Sequence, residues 1–229
     1  MTQPAGERSG IEHKSLVAAI VEKLEKQIIS GELKPGQRIV EQKLCEQLGV
    51  SRSPVREAFR ILENQGFLVN QARRGVSVAR ASLKEARDAY TIRANLESLA
   101  TFLAVKRQEP GLVERLRELH REMARMVELG DEPGHARAND AFHEVLINAC
   151  DNEQLIQMLT VFAKHTARYR REVLSMPGRL EESLKKHELL IRSIAYGDAE
   201  QAERIRKDSI LANITQLEQR FDRENADED

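Results

Sequence analysis

Three glycines cut the stretch from Glu41 to Val78 into pieces too short to do anything but fold back on one another. Gly49 closes EQKLCEQL, two turns of helix, and Gly66 closes a second run that opens at Ser51. Ser51 stands at the N-cap position, Pro54 fits the first turn and Glu57 falls near a capping-box position. Val55, Phe59 and Leu62 then share one face of this second helix. Beyond Gly66, the segments FLVNQ and VSVA flank Ala72-Arg73-Arg74-Gly75, which reads as a hairpin with a basic tip. Upstream, Leu16, Ile20, Leu24 and Ile28 recur every fourth residue and predict a helix over 13–30, closed by Gly31. A Pro35-Gly36 turn and a short extended piece lead on to Glu41, and residues 1–12 read as a loose polar leader. Helix, short helix, tight turn, second helix and basic hairpin make the winged helix-turn-helix plan.

After Ser82 the character changes. Everything to about residue 222 reads as helix, interrupted near Glu109-Pro110, Gly130–Gly134, Asp151-Asn152, Pro177-Gly178 and Gly197-Asp198. This predicts about six helices of roughly 15 to 25 residues, a helical bundle, with a frayed acidic tail over 223–229. The fold class is therefore mainly α: a winged helix-turn-helix at 13–80 followed by an all-helical domain at 82–222.

With 41% hydrophobic and 32% charged residues, the chain can bury a core but is too polar for a membrane protein. The longest early apolar run, Leu16–Val21, is far short of a span, and the first residues hold no apolar leader. Cys45 and Cys150 offer neither a disulfide framework nor a zinc-finger spacing. The expectation is a cytoplasmic protein with no membrane partner. Charge is unevenly spread: residues 12–80 carry twelve Lys/Arg against eight Asp/Glu, and residues 81–229 carry 23 against 28. A basic front on an acidic body suits a polyanion partner. With aromatics at 4% and no Trp, stacking on single strands has little material.

The basic front has the residue types that duplex reading needs. Arg52 and Arg56, four apart, share a helix face, and each offers a planar fork for guanine. Ser51, Ser53 and the free N–H groups at the helix start suit phosphate, while Arg73 and Arg74 are placed to enter a minor groove or grip the backbone. The competing account makes these arginines a solvated face paired with Glu57 or Glu63. A second reading of the whole chain is a helical metal- or small-ligand-binding protein whose basic domain serves protein interaction.

The run from Gly31-Glu-Leu-Lys-Pro-Gly through Ser51-Arg-Ser-Pro-Val-Arg-Glu-Ala-Phe to Arg74-Gly75-Val resembles the GntR family of bacterial transcription regulators. The helical region beyond Ser82 resembles the FCD effector domain of its FadR subfamily, through Arg93 and Glu97, Asn139 and His143, His187, and Gly197-Asp-Ala. The resemblance implies a homodimer on a pseudo-palindromic double-stranded DNA operator, acting as a repressor, with Arg52, Arg56, the wing and Gly75 at the DNA. Relatives often carry Arg where this chain has Gln42, and Lys43 beside it is a candidate for phosphate. It further implies a small organic acid effector in the bundle, which shifts DNA affinity by its differential affinity for two arrangements.

Many FCD domains hold zinc or nickel through an Asp or Asn and three histidines. Asn139 and His143 sit four apart on one helical face, and His187 lies on a later helix, but the last histidine position falls on Ser209. Asp208, one residue back, points about 100° away, and His165 contributes only if its helix turns it inward. Asn139 is a weak donor, so two outcomes stand: a divalent metal on Asn139, His143 and His187, or two core histidines bonded across the pocket. Arg93, among apolar neighbours, needs an anion. Glu97 one turn on is one source, and an effector carboxylate held with Asn139, His143, His187 and Ser209 is the other. Arg168, Arg170 and Arg171 offer further positive charge. Nothing specifies catalysis: His143-Glu144 begins like HExxH, but Ile147 holds the final position, and no GxSxG, P-loop or GxGxxG occurs. The chain reads as no enzyme.

Overall fold

The computed structural model describes residues 6–71, 75–80, 82–174 and 179–227, and within these the side chains of 6–14, 164–165, 167–168, 170–174 and 222–227 are not described. Two compact units result, residues 1–81 and 82–229.

In the first unit α1 (Gly6–Ser30) starts seven residues before the expected helix, so the polar leader is helical from Gly6. Its buried face is Val17, Ile20, Val21 and Leu24, whereas Leu16 is exposed. A strict four-residue spacing drifts by about 40° per step against a 3.6-residue period, so the true stripe sits one residue on. The short helix α2 (Glu41–Leu48) is ended by Gly49 in the left-handed region, at φ 65°. Next, α3 (Arg52–Asn64) buries Val55, Ala58, Phe59 and Leu62, with Cys45 in the same core.

Ser51 occupies the N-cap of α3 but accepts no capping bond. The reason is Pro54, which stands at the third helical position and has no N–H to give. Glu57 is six residues past Ser51, outside the box spacing.

The strands β1 (Leu68–Gln71) and β2 (Gly75–Val78) pair antiparallel with Leu68 opposite Val78. The extended piece before α2 joins them. Ile39 N–H donates to Val76 O and Val78 N–H to Gln37 O, both at 2.9 Å, which fixes the wing to the helix-turn-helix. The tip with Arg73 and Arg74 lies outside the described residues.

The second unit holds six helices among the described residues: α4 (Leu83–Arg107), α5 (Leu112–Leu129), α6 (Glu132–Asn148), α7 (Glu153–Leu174), α8 (Arg179–Ala195) and α9 (Ala199–Asp227). Gly134, expected in a loop, lies inside α6. Asp131 caps that helix by accepting from Gly134 N–H at 2.8 Å, and Pro133 fits the first turn. Helix α9 runs to Asp227 through the expected frayed tail. α4 packs along α9 and α5 along α6, with Ala100, Ala104, Leu116, Met123, Phe142 and Leu190 in the shared core. The alanines let α4 approach its neighbours closely. That closeness sets polar side chains from α4, α6, α8 and α9 around one cavity. No helix among the described residues is long and apolar enough to cross a membrane.

Candidate functional site

Each unit has its own site. In the first, the start of α3 carries Arg52 and Arg56 with side chains 65% and 61% exposed. Both lean on one carboxylate, Glu41, in the first turn of α2. Arg56 Nε donates to Glu41 Oε2 at 2.8 Å, and Arg52 Nε lies 3.8 Å from Oε1. That hydrogen bond and charge raise the Arg56 pKa above its usual value. Sequence reasoning named Glu57 and Glu63 as partners and missed Glu41, because the crossing of α2 over α3 is not written in either helix. Ser51, Ser53 and Lys43 are exposed, and Gln42 donates to Glu46 at 3.1 Å. Gly75 takes φ 80°, and a Cβ there would sit 3.5 Å from the Arg38 guanidinium. Arg38 and Arg80, both exposed, line a groove beside the wing. The sequence reading singled out neither.

The second site lies inside the bundle. Arg93 from α4, Asn139 and His143 from α6, His187 from α8 and Ser209 from α9 line one cavity of about 70 Å³. The structure therefore brings together all five effector residues named from sequence. It adds Arg179, Ser183 and Lys186 from α8 and Arg206 and Asn213 from α9.

The anchor of the cavity is a buried triad. Arg93 Nε and Arg206 Nη2 both donate to the Glu97 carboxylate, Arg206 Nε adds a 2.8 Å bond, and Arg93 Nη1 donates to Thr166 Oγ1 at 2.8 Å. Burial alone would push the Glu97 carboxyl up, but Arg206 and Arg93 outweigh it and hold the pKa at about 2. Arg179, 8% exposed, donates to Glu182 at 2.5 Å and to Asn213 Oδ1 at 3.0 Å. Lys186 Nζ holds the other Glu182 oxygen at 2.6 Å. Arg206 had a legible signal, since it stands in the stripe 199, 202, 206, 210, 217 that α9 otherwise fills with apolar residues.

His187 Nδ1 lies 2.7 Å from Ser183 O and so must carry a proton there. Its Nε2 is then a lone pair, and His143 Nε2, 3.3 Å away, donates to it. Burial drives the His187 pKa down to about 3, with Arg206 adding to the effect, so His187 is neutral at pH 7. His135, one turn before Asn139, is fully buried with neither ring nitrogen partnered among the described residues, and burial lowers its pKa too.

A zinc or nickel ion does not fit this donor set. The 3.3 Å between the two Nε2 atoms matches the about 3.3 Å edge of a tetrahedral zinc site. The set stops there. Asn139 and Ser209 are weak donors, and among the described residues no three His, Cys, Asp or Glu groups could share a metal. Four cationic side chains line the same space and repel a divalent cation. Of the two outcomes expected for Asn139, His143 and His187, this donor set favours two core histidines bonded across the pocket over a divalent metal. The side chains of His165, Arg168, Arg170 and Arg171 lie outside the described residues.

Comparison with known proteins gives consistent matches in both units. The model for bacterial regulatory proteins, gntR family, matches residues 16–78, and the FCD domain model matches residues 88–212. The HTH-type transcriptional regulator McbR of Escherichia coli is 27% identical over 216 residues, covering 93% of this chain and 97% of that protein. Its solved structure has a TM-score of 0.75 at 25% identity, covering 90% of this chain and 98% of that one. The HTH-type transcriptional regulator LutR of Bacillus subtilis is 32% identical over 213 residues, 83% of this chain and 94% of that protein. The gluconate operon transcriptional repressor of Bacillus subtilis is 30% identical over 182 residues, 76% of this chain and 74% of that protein.

Proposed function

This chain belongs to the gntR family of bacterial regulatory proteins and carries an FCD domain, and we propose that it is a dimeric repressor released or retained on its operator by a small organic acid. The family is one of DNA-binding transcription regulators, not enzymes. The observation that carries the proposal is the pair of exposed forks at the start of α3, Arg52 and Arg56, on a helix whose first N–H groups are left uncapped. An uncapped N-terminus accepts phosphate, and two exposed guanidiniums beside it read bases at about 1–3 kcal/mol each. Ser51, Ser53, Lys43 and Gln42 hold the backbone around them. Gly75 lets the wing turn, and Arg73 and Arg74 grip the flanking groove.

In the bundle, the acid sits in the cavity lined by Arg93, Asn139, His143, His187 and Ser209. Repression is supported by the relative that is named a repressor and by the mode common in the family. Ligand control rests on differential affinity: the acid changes DNA binding only as far as it prefers one state of the dimer. Selection from a random duplex pool tests the DNA half. The enriched sequence should be an inverted repeat, bound with an affinity that falls steeply with salt. Enrichment of no sequence would overturn it, and would favour the basic domain as a protein-interaction module.

A further inference from the structure

The wing sheet has two faces. Leu68 and Val78, opposite one another and buried, form the inner face in the core of the first unit. One residue along, the pleat turns Val69 and Ser77 outward, and Arg38 bridges Ser77 from the extended piece before α2. Arg38, Ser77 and Val69 thus make one row across the outer face. With Gly36, Gln71 and Arg80 they line a trough of about 690 Å³, and among the described residues no carboxylate lines it. The two arginines are seated but not neutralised. A Cβ on Gly75 would lie 3.5 Å from the Arg38 guanidinium, and one on Gly36 3.2 Å from that of Arg80, so each head group lies against glycine backbone. Neither has an ion pair or a side-chain hydrogen bond among the described residues, whereas Arg52 and Arg56 share Glu41. Two guanidiniums beside one trough without a counter-charge attract an anion.

The build of the trough narrows the class. A small-molecule site buries most of its ligand, and two exposed arginines on the outer face of a sheet do not. A protein partner needs an apolar centre, and Val69 is the one exposed apolar side chain lining the trough among the described residues. A polyanion needs neither, because each phosphate bound releases counterions. Position agrees with charge. Gly75, against which Arg38 lies, follows the basic tip Arg73-Arg74 directly in the chain. The trough is therefore continuous with the element that the proposed function sets against the duplex.

We propose that the trough is a second DNA contact, holding the sugar–phosphate backbone of the duplex outside the bases that α3 reads, with Arg38 and Arg80 each on one phosphate. This rests on the DNA-binding reading above and adds a contact site, its two residues and its indifference to base sequence.

Salt titrations of DNA binding by the full-length protein test it on the selected operator in two lengths: the recognised bases alone, and the same bases with most of a helical turn, about eight base pairs, added at each end. Arg38→Gln and Arg80→Gln each remove two phosphate contacts from a dimer. On the longer duplex each should flatten the plot of log affinity against log salt by about 1.8, and weaken binding at least about fivefold at about 0.15 M salt. The loss should be equal for operator and scrambled duplexes, and trimming the added ends should abolish it. Both residues are exposed, so melting should not move, and each variant keeps the question answerable if the other disturbs the wing. Unchanged slopes in both variants would overturn the contact and leave the trough to an acidic protein segment, while a loss of discrimination in Arg52→Ala would keep the DNA reading standing. A loss confined to the operator would overturn the backbone assignment, and one that persists on the trimmed duplex would overturn the placement outside the read bases. Failure of the unaltered protein to bind either length would overturn both readings.

Discussion

The two units solve the same problem in opposite media. In each, one glutamate is shared by two arginines: Glu41 by Arg52 and Arg56 at the surface, Glu97 by Arg93 and Arg206 in the bundle. The Glu41 cluster is solvated, and pairs of this kind are weak and screened by salt. Phosphate or a guanine edge can therefore replace Glu41 at small cost, and the arginines are held in place without being committed. In the bundle, the Glu97 cluster is 2–8% exposed. Its carboxylate cannot leave without uncovering buried positive charge. Burial thus turns one motif from an exchangeable latch into a fixed electrostatic floor.

The largest expected effect separates the two glutamates. Glu97→Gln removes the one carboxylate shared by two buried guanidiniums and should cost about 3–5 kcal/mol, a loss of roughly 10 °C in melting temperature. Calorimetric scanning checks it, and a change under about 1 kcal/mol would mean that the floor is solvated after all.

Acid should act first on His187, in the same cavity, and only later on this floor. The His187 pKa is about 3 in the folded chain against about 6.5 unfolded. The unfolded state therefore takes the proton first as pH falls below 6.5, and stability is lost from there downward. The loss should reach about 2 kcal/mol by pH 5. Glu97, held at about 2, adds nothing until pH falls below its unfolded value of about 4.3. Urea melts at pH 7 and pH 5 read this, and His187→Gln should flatten the slope. An unchanged slope in that variant would assign the acid loss to His135 or another group.

At the surface the expected sign is different. Arg52→Ala should cut discrimination between the selected operator and a scrambled duplex by about 1–3 kcal/mol and leave melting unchanged. Smallest of all, Glu41→Gln should move stability by less than about 0.5 kcal/mol. If it instead lowered the melting temperature as far as Glu97→Gln does, the contrast between latch and floor would fail.

Legibility in the sequence divides along the same line. Short-range features were readable: the α3 face of Val55, Phe59 and Leu62, the Gly49 and Gly66 stops, and Arg93 with Glu97 one turn apart. So were the five cavity residues, although those came through family resemblance. Partners that meet only through packing were not readable. Glu41 reaches Arg56 across fifteen residues and Arg206 reaches Glu97 across 109. Pro54 shows a local limit as well: it agrees with a helix start, yet at the third position it removes the N–H that Ser51 would have capped. Capping residues likewise made Asp131-Glu-Pro-Gly look like a loop when it is the first turn of α6.

Anisotropy titration of the selected operator, with and without a small organic acid that calorimetry shows to be bound, tests the central proposal, that a ligand in the bundle changes DNA affinity. The dissociation constant for DNA should change by at least about fivefold, and Arg93→Ala should abolish that change while leaving DNA binding without the acid in place. An unchanged constant, with calorimetry showing the acid bound, would contradict the claim and leave two independent binding units on one chain.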